Sequence, residues 1–522
     1  MMRHTWFRFI VVHGLVGLRL LTLFPSVSAL ATPLPPIGTP TVQDALPLAH
    51  KAMRYLDAST DPYHAVKTSA EMLELAGFEE LNDGGAMISI QPGGKYYYTK
   101  AKSTLIAFTV GPAYQPGTPA CFSIIGGHTD SPNLRVKPRS MRTAAKVRQL
   151  GVECYGGGLW HTWFDRDLGL SGRVWVRQQT PNDVNGGGGK IINRLVQIQK
   201  PVLRISNLAI HLLTAKEREA FAINKEDHLS PILATEAQHA LMMPVPGNTT
   251  TKDGWKEHQE PALLHLLAKE LDCNVDDLVD FELSLFDVQR ASIGGAFDEF
   301  LYSARLDNLA SCFLAVQGLV DYCDSDAHAA SDAISMICLY DHEEVGSSSA
   351  VGAASPVLSE AVPRILASLN RGTPVPPDVL AASLSASLVL SSDQAHAVHP
   401  NYAAKHEKAH QPHMNAGMVI KRNSNQRYAT TPWTGVIMRE IARQAGLPPL
   451  QEFIVRQDCG CGSTIGPLIS TRTGMAAIDM GCPQLSMHSI RETMGVADLS
   501  HGLRLFEAFF RHYPTVRKQV EN

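Results

Sequence analysis

Neither sign of charge dominates this chain. Its 46 basic and 50 acidic residues leave a net charge of -4, with no long run of either sign, so the basic footprint of a nucleic-acid binder is missing. A regular cysteine framework is missing too. The nine cysteines, Cys121, Cys154, Cys273, Cys312, Cys323, Cys338, Cys459, Cys461 and Cys482, are odd in number and scattered, several of them inside apolar runs, which argues for reduced thiols over disulfides. Cys459 and Cys461 form a CxC pair with no second pair downstream and read as loop thiols, not a zinc knuckle. Beyond the first 43 residues no apolar stretch approaches a membrane span, so no membrane contact is expected of the mature protein. No internal repeat of fixed period occurs, which removes solenoid architectures.

Acidic residues are absent before Asp44, where Arg3, Arg8 and Arg19 accompany the apolar stretch FIVVHGLVGLRLLTLF, ending near SVSALA. A secretory signal cleaved after Ala31 fits the small-residue rule. Arg19 interrupts the apolar region, however, and an Arg-rich, acid-free composition equally suits an organellar transit peptide. With the linker PLPPIGTP, residues 1–43 read as a targeting segment and linker. The rest of the 522 residues suffices for a large core, and for two domains or one domain with an insertion.

Residues 44–136 alternate helix and strand patterns: DALPLAHKAMRYLDAS, a break at DPYHAV, the helix TSAEMLELAGF, then strands KYYYT, TLIAFTV and CFSIIGG. From 137 to 294 the texture is that of an inserted β-rich domain. RVWVRQQ, LVQIQ and VLRISNLAI alternate like exposed strands, separated by PNDVNGGGGK and MPVPGNTTTKDG. GGGGKI lacks the Ser or Thr that a phosphate loop needs after its Lys and joins two strands, so a hairpin tip is expected. Residues 295–522 return to α/β, with helices DNLASCFLAVQGLVDYC and TGVIMREIARQAG and strands AISMICLY, SLVLSSD and MAAIDMG. The expected fold is α/β: a mostly parallel central sheet flanked by helices, carrying the β-rich insertion.

Polar candidates recur where apolar strands stop. His128 and Asp130 follow CFSIIGG, Glu343 and Glu344 follow ISMICLY, Asp393 and His396 follow SLVLSS, and His488 lies in the loop after MAAIDMG. Open α/β sheets build their sites outside the carboxyl ends of their strands. Were the strand to run on through Glu343 and Glu344, their side chains would leave on opposite faces; if it ends near Tyr340, a turn can aim both at one point. Mixed His and carboxylate donors suit zinc, manganese or cobalt, and a close metal pair needs a bridging carboxylate. Asp307 in SARLDNLASC is the natural candidate, and helix N-capping is its structural alternative.

GGHTDSPNLRVKPRS, GVECYGGGLWHTWFDRDLGLSGRV, RLDNLASC, YDHEEVGS, SSDQAHAVHPNYAAKHE, CGSTIGP and MHSIRE stand in an order and spacing that resembles the aspartyl aminopeptidases, metallopeptidase family M18, from about residue 45 to 513. The resemblance implies a two-metal aminopeptidase acting on unblocked N-terminal Asp or Glu of peptides, with zinc most expected and manganese or cobalt admissible at one site. It implies His128, Asp307, Glu344, Asp393 and His488 as metal ligands, Asp307 bridging, and Glu343 as general base toward the metal-activated water. Asp130 is implied as a supporting catalytic acid that orients His128. His211, Glu343, Asp393, His396, Lys421 and Tyr428 are implied at the substrate, His211 reaching a neighbouring subunit's site and Lys421 offering a cation to the acidic side chain. Dimers built into a dodecamer are implied, with residues 137–294 as the assembly domain. Members are typically cytoplasmic or vacuolar, so the N-terminal segment is a departure. His342, where an Asn is usual, and Asn207, where His is frequent, are two others. The alternatives are a neutral aminopeptidase or deacylase on the same metal pair, and an inactive assembly scaffold.

Overall fold

The computed structural model describes residues 40–521 apart from 86, 88, 89, 179–188 and 243–253. Residues 1–39 of the targeting segment and linker, most of the GGGGK hairpin tip and most of MPVPGNTTTKDG therefore lie outside the described residues. Among the described residues no helix is long and apolar enough to cross a membrane.

The central sheet has nine strands, ordered Glu79–Glu80, Lys95–Lys100, Thr104–Val110, Ile334–Tyr340, Phe122–His128, Leu388–Ser392, Ala476–Gly481, Val419–Arg422 and Gln451–Ile454. Its middle four, Ile334–Tyr340 to Ala476–Gly481, run parallel, and antiparallel neighbours join on either side. The sheet is thus mixed, with the parallel block at its centre. Those strands read as unbroken apolar runs because both faces are covered. Ile337 and Leu339 enter one core with the helices Val42–Ala58, Leu306–Cys323 and Val496–Val516. Met336 and Cys338 enter the other, against Val357–Leu369 and Ile465–Thr473.

DPYHAV proves to be a helix start instead of a break. Asp61 accepts from the amides of Tyr63 and His64 at 2.9 and 3.1 Å, and Pro62 opens the helix Pro62–Leu75. A cap contributes about 0.5–2 kcal/mol, more than the few tenths per residue by which Tyr, His and Val fall short of the best helix formers.

A six-stranded antiparallel sheet lies in chain order between Phe122–His128 and Ile334–Tyr340. Its order is Ile191–Leu203, Leu168–Arg177, Leu278–Asp287, Asn133–Ala144, Val147–Tyr155, Ile232–Thr235. It has its own core, including Trp160, Trp163, Leu264 and Leu283. LVQIQ and the start of VLRIS are not separate strands, since Ile191–Leu203 runs through the first and ends two residues into the second. SNLAI is not a strand either: it ends in the short turn Ile210–Leu212, on a segment where Leu208, Ile210, Leu212 and Phe221 are 55, 62, 70 and 52% exposed. The segment alternates as a strand would, but has no sheet neighbour among the described residues.

A third sheet of five short strands, Ser292–Gly294, Phe300–Ser303, Glu492–Gly495, Pro483–Leu485 and Ala395–His396, was not foreseen. Pieces of two to four residues are too short to show a period.

Candidate active site

The strand Ile334–Tyr340 stops one residue short of Asp341, and His342 then takes a left-handed conformation, φ 63°. That conformation costs a non-glycine residue about 1–2 kcal/mol, least for Asn and Asp, which gives the usual Asn a physical reason. Here the His342 ring is held by Ser349 Oγ, 2.8 Å from Nδ1. The turn Glu343–Val345 follows. Beneath it, Asp130 accepts the Glu343 amide on Oδ1 and the Glu344 amide on Oδ2, both at 3.1 Å. Tyr155, from the six-stranded sheet, donates its hydroxyl to the same carboxylate at 2.6 Å. Both glutamates therefore leave a pinned turn toward one cavity.

Asp307 stands at the start of the helix Leu306–Cys323, and each of its carboxylate oxygens faces a different imidazole. Oδ1 is 3.4 Å from His128 Nε2, and Oδ2 is 3.6 Å from His488 Nε2. His128 Nε2 is also 3.8 Å from Asp393 Oδ1, and His488 Nε2 is 3.3 Å from Glu344 Oε2. The other nitrogen of each ring faces a backbone carbonyl, Asp130 for His128 at 2.9 Å and Gly157 for His488 at 3.0 Å. Those contacts leave Nε2 of both rings to face the carboxylates.

An open cavity of about 600 Å³ lies over these groups, lined also by His396, Lys421, Tyr428 and the loop Gly462, Ser463, Thr464. Lys421 is 3% exposed. Its Nζ sits 3.2 Å from Asp393 Oδ2, 2.9 Å from the Gln394 carbonyl and 5.3 Å from the centre of the Tyr428 ring. Of the sequence-derived residues only His211 is elsewhere, on the exposed turn Ile210–Leu212.

Burial first, and then the charges crowded around each group, govern the electrostatics of the site. Burial, then the carboxylates of Asp393, Asp130 and Asp307, push Glu343 up to about 8 against a lowering by His128. Burial and Asp307 hold Glu344 well above the carboxylate range. Burial alone would lower His488, but Asp307 and Glu344 outweigh it and raise the imidazole to about 10. Burial and the Lys421 charge lower His396 to about 4.

These residues fit metal ions. His128, Asp307 and Asp393 converge, as do Asp307, Glu344 and His488, with ligand atoms within 4.8 Å of one another. Asp307 Oδ1 and Glu344 Oε1 are buried without a hydrogen-bond partner, so the contact to His128 is a charge separation and not an aligned hydrogen bond. Two ligands 2.0–2.2 Å from one zinc ion at the tetrahedral angle lie roughly 3.3–3.6 Å apart, close to the spacings above. The family model for aminopeptidase I zinc metalloproteases, M18, matches residues 55–510. The chain belongs to family M18. It is a hydrolase of the exopeptidase kind. The aspartyl aminopeptidase of Aspergillus oryzae is 45% identical over 493 residues, covering 90% of this chain and 96% of its own. That of Dictyostelium discoideum is 42% identical, covering 90% and 98%. A cryo-EM structure of the Ape4 and Nbr1 complex superposes with a TM-score of 0.85 at 39% identity, over 92% of this chain and 88% of the other. The S. cerevisiae mApe1 dodecamer gives 0.77 at 30%, over 90% and 98%.

The M18 motifs contain two residues to which sequence reasoning gave no role. Tyr155 in GVECYGGG reaches Asp130, and Glu492 in MHSIRE accepts the amides of Asp307 and His488. A tyrosine closing a strand and a glutamate in a four-residue strand carry no sequence signal of a buried bond. Only their coincidence with motif ends could have singled them out.

Proposed function

We propose that this M18 enzyme removes unblocked N-terminal Asp or Glu from peptides, using two divalent ions, zinc foremost, and Glu343 as general base. The observation that carries the two-ion reading is Asp307, whose two oxygens face His128 and His488 at 3.4 and 3.6 Å. His128 and Asp393 would hold one ion and Glu344 and His488 the other, Asp307 serving both. When bound, such ions supply Lewis acidity and an activated water. Glu343 takes a proton and returns it to the leaving amine. A carboxyl held near 8 suits that exchange, and cations beside it draw the value down. Asp130 keeps Glu343 and Glu344 in register through their amides. Lys421 supplies the buried cation for the acidic side chain, with Tyr428 and His396 beside it. Acidic specificity is further supported by the names of the relatives.

Residues 44–136 and 295–522 form the catalytic domain in this reading, and 137–294 the assembly domain of a homo-oligomer. The exposed apolar segment around His211 and the dodecameric S. cerevisiae relative support it. The test is hydrolysis of Asp-, Glu- and Leu-derived substrates by the purified protein, with chelator and after zinc is restored. Chelator-sensitive cleavage of the acidic substrates is expected. Equal rates on Leu would replace the specificity reading with a neutral aminopeptidase, and no cleavage at any zinc level would leave the scaffold.

A further inference from the structure

Glu492 opens the short strand Glu492–Gly495, opposite Ser303 of Phe300–Ser303, and is 2% exposed. Its Oε2 accepts the backbone amide of Asp307 at 3.0 Å, and its Oε1 accepts that of His488 at 2.8 Å. Neither segment is set by regular structure at that point. Asp307 has φ −83° and ψ 105° inside the first turn of its helix, and His488 is left-handed, φ 65°. A helix-start amide has no intrahelical acceptor, and a left-handed loop residue is held only by what it bonds to. One carboxylate supplies both needs.

We propose that Glu492 is a positioning residue of the metal centre: by clamping the amides of Asp307 and His488 to one carboxylate it fixes the separation of the two side chains that would share an ion. This rests on the metal reading given above. The side chain touches neither substrate nor ion. An ionised carboxylate is suited to the task because both its oxygens only accept, whereas an amide would turn its NH2 toward one of the two N–H groups. Asp130 does the same for Glu343 and Glu344, so two buried carboxylates hold the backbone of four of the site residues. Gln484 Nε2, 3.3 Å from Oε1, steadies the Glu492 side chain.

The test reads metal affinity, not turnover. Full-length wild type and Glu492→Gln are stripped with chelator, and zinc is titrated back in competition with a chromophoric chelator. The melting temperature of each stripped protein and the KM at saturating zinc are also measured. Loss of a group that orients ligands weakens metal binding typically 10- to 100-fold. That loss is expected for Glu492→Gln, with KM at saturating zinc unchanged and kcat recovering as zinc is raised. Zinc affinity within about twofold of wild type, whatever the melting temperature, would make Glu492 a packing residue and overturn the inference while leaving the metal reading intact. Wild type that takes up no zinc would overturn both. Should Glu492→Gln fail to fold, Glu492→Asp carries the same measurement, since it keeps the charge but is too short to reach both amides.

Discussion

Glu343 and Glu344 are adjacent in sequence, yet only Glu344 approaches His488, at 3.3 Å, while Glu343 stands 4.0 Å from His128. Replacing Glu343 with Gln keeps its shape and removes the proton acceptor. Turnover should fall ~10²- to 10⁴-fold with zinc content unchanged by metal analysis; near-normal turnover in a zinc-replete variant would refute the base assignment. The histidines yield a pH prediction. In protein stripped of metal, His488 is raised to about 10, because Asp307 and Glu344 outweigh burial, so it holds a proton at neutral pH. A metal ligand must offer a lone pair, so zinc uptake displaces that proton. Affinity should therefore rise with pH through the neutral range, and calorimetry in buffers of different ionisation enthalpy should show proton release. Uptake without released protons would contradict it. His128, Asp130, Glu343, Glu344, Asp393, His396 and His488 stood out as candidates because they follow apolar strands, whereas Lys421 and Tyr428 were named only through the family resemblance. The bonds of Glu492 and Tyr155 were not legible, since burial of a lone acid or phenol leaves no pattern.

At the level of elements, the legible ones were those long enough to show a sustained apolar run or a period. Ile334–Tyr340 and Phe122–His128, seven residues each, stand where their apolar runs predict. The five-stranded sheet escaped, although it brings His396 and Glu492 to the site. Tyr155 ends the strand Val147–Tyr155 of the six-stranded sheet, so one phenol joins that sheet to the catalytic turn. Burial, then Asp130, raise this phenol far above its ordinary range; it remains a donor at any working pH. Tyr155→Phe removes one donor to a buried carboxylate, a bond contributing about 1.5–3 kcal/mol. The expected result is a roughly ten- to hundredfold fall in kcat with KM nearly constant, from a turn whose Asp130 anchor is held less firmly. Unchanged kcat would show that the two amides alone hold Asp130.

For the whole molecule, the exposed segment carrying His211 bears on how sites are completed. If His211 serves a neighbouring subunit, a subunit with a broken metal site can still donate it. Inactive His211→Ala and Asp393→Ala proteins, mixed under subunit exchange, should regain up to about a quarter of wild-type activity, since half the pairs are mixed and each holds one whole site. No recovery despite demonstrated exchange would place His211 within its own chain's chemistry or outside catalysis. Sequence could name this residue only through resemblance, because no spacing rule connects a loop to a site on another copy.

The site is also spread along time. A growing chain emerges from the ribosome N-terminus first at ~5–20 residues per second, and His128 and His488 are 360 positions apart (488 minus 128). On the order of 20 to 70 seconds therefore separate their appearance. His128 appears first, Asp307 and Glu344 follow within that interval, and until its end all three lack the imidazole of His488. Until residue 488 has been made, the chain cannot assemble the full set of ligands proposed for the two ions.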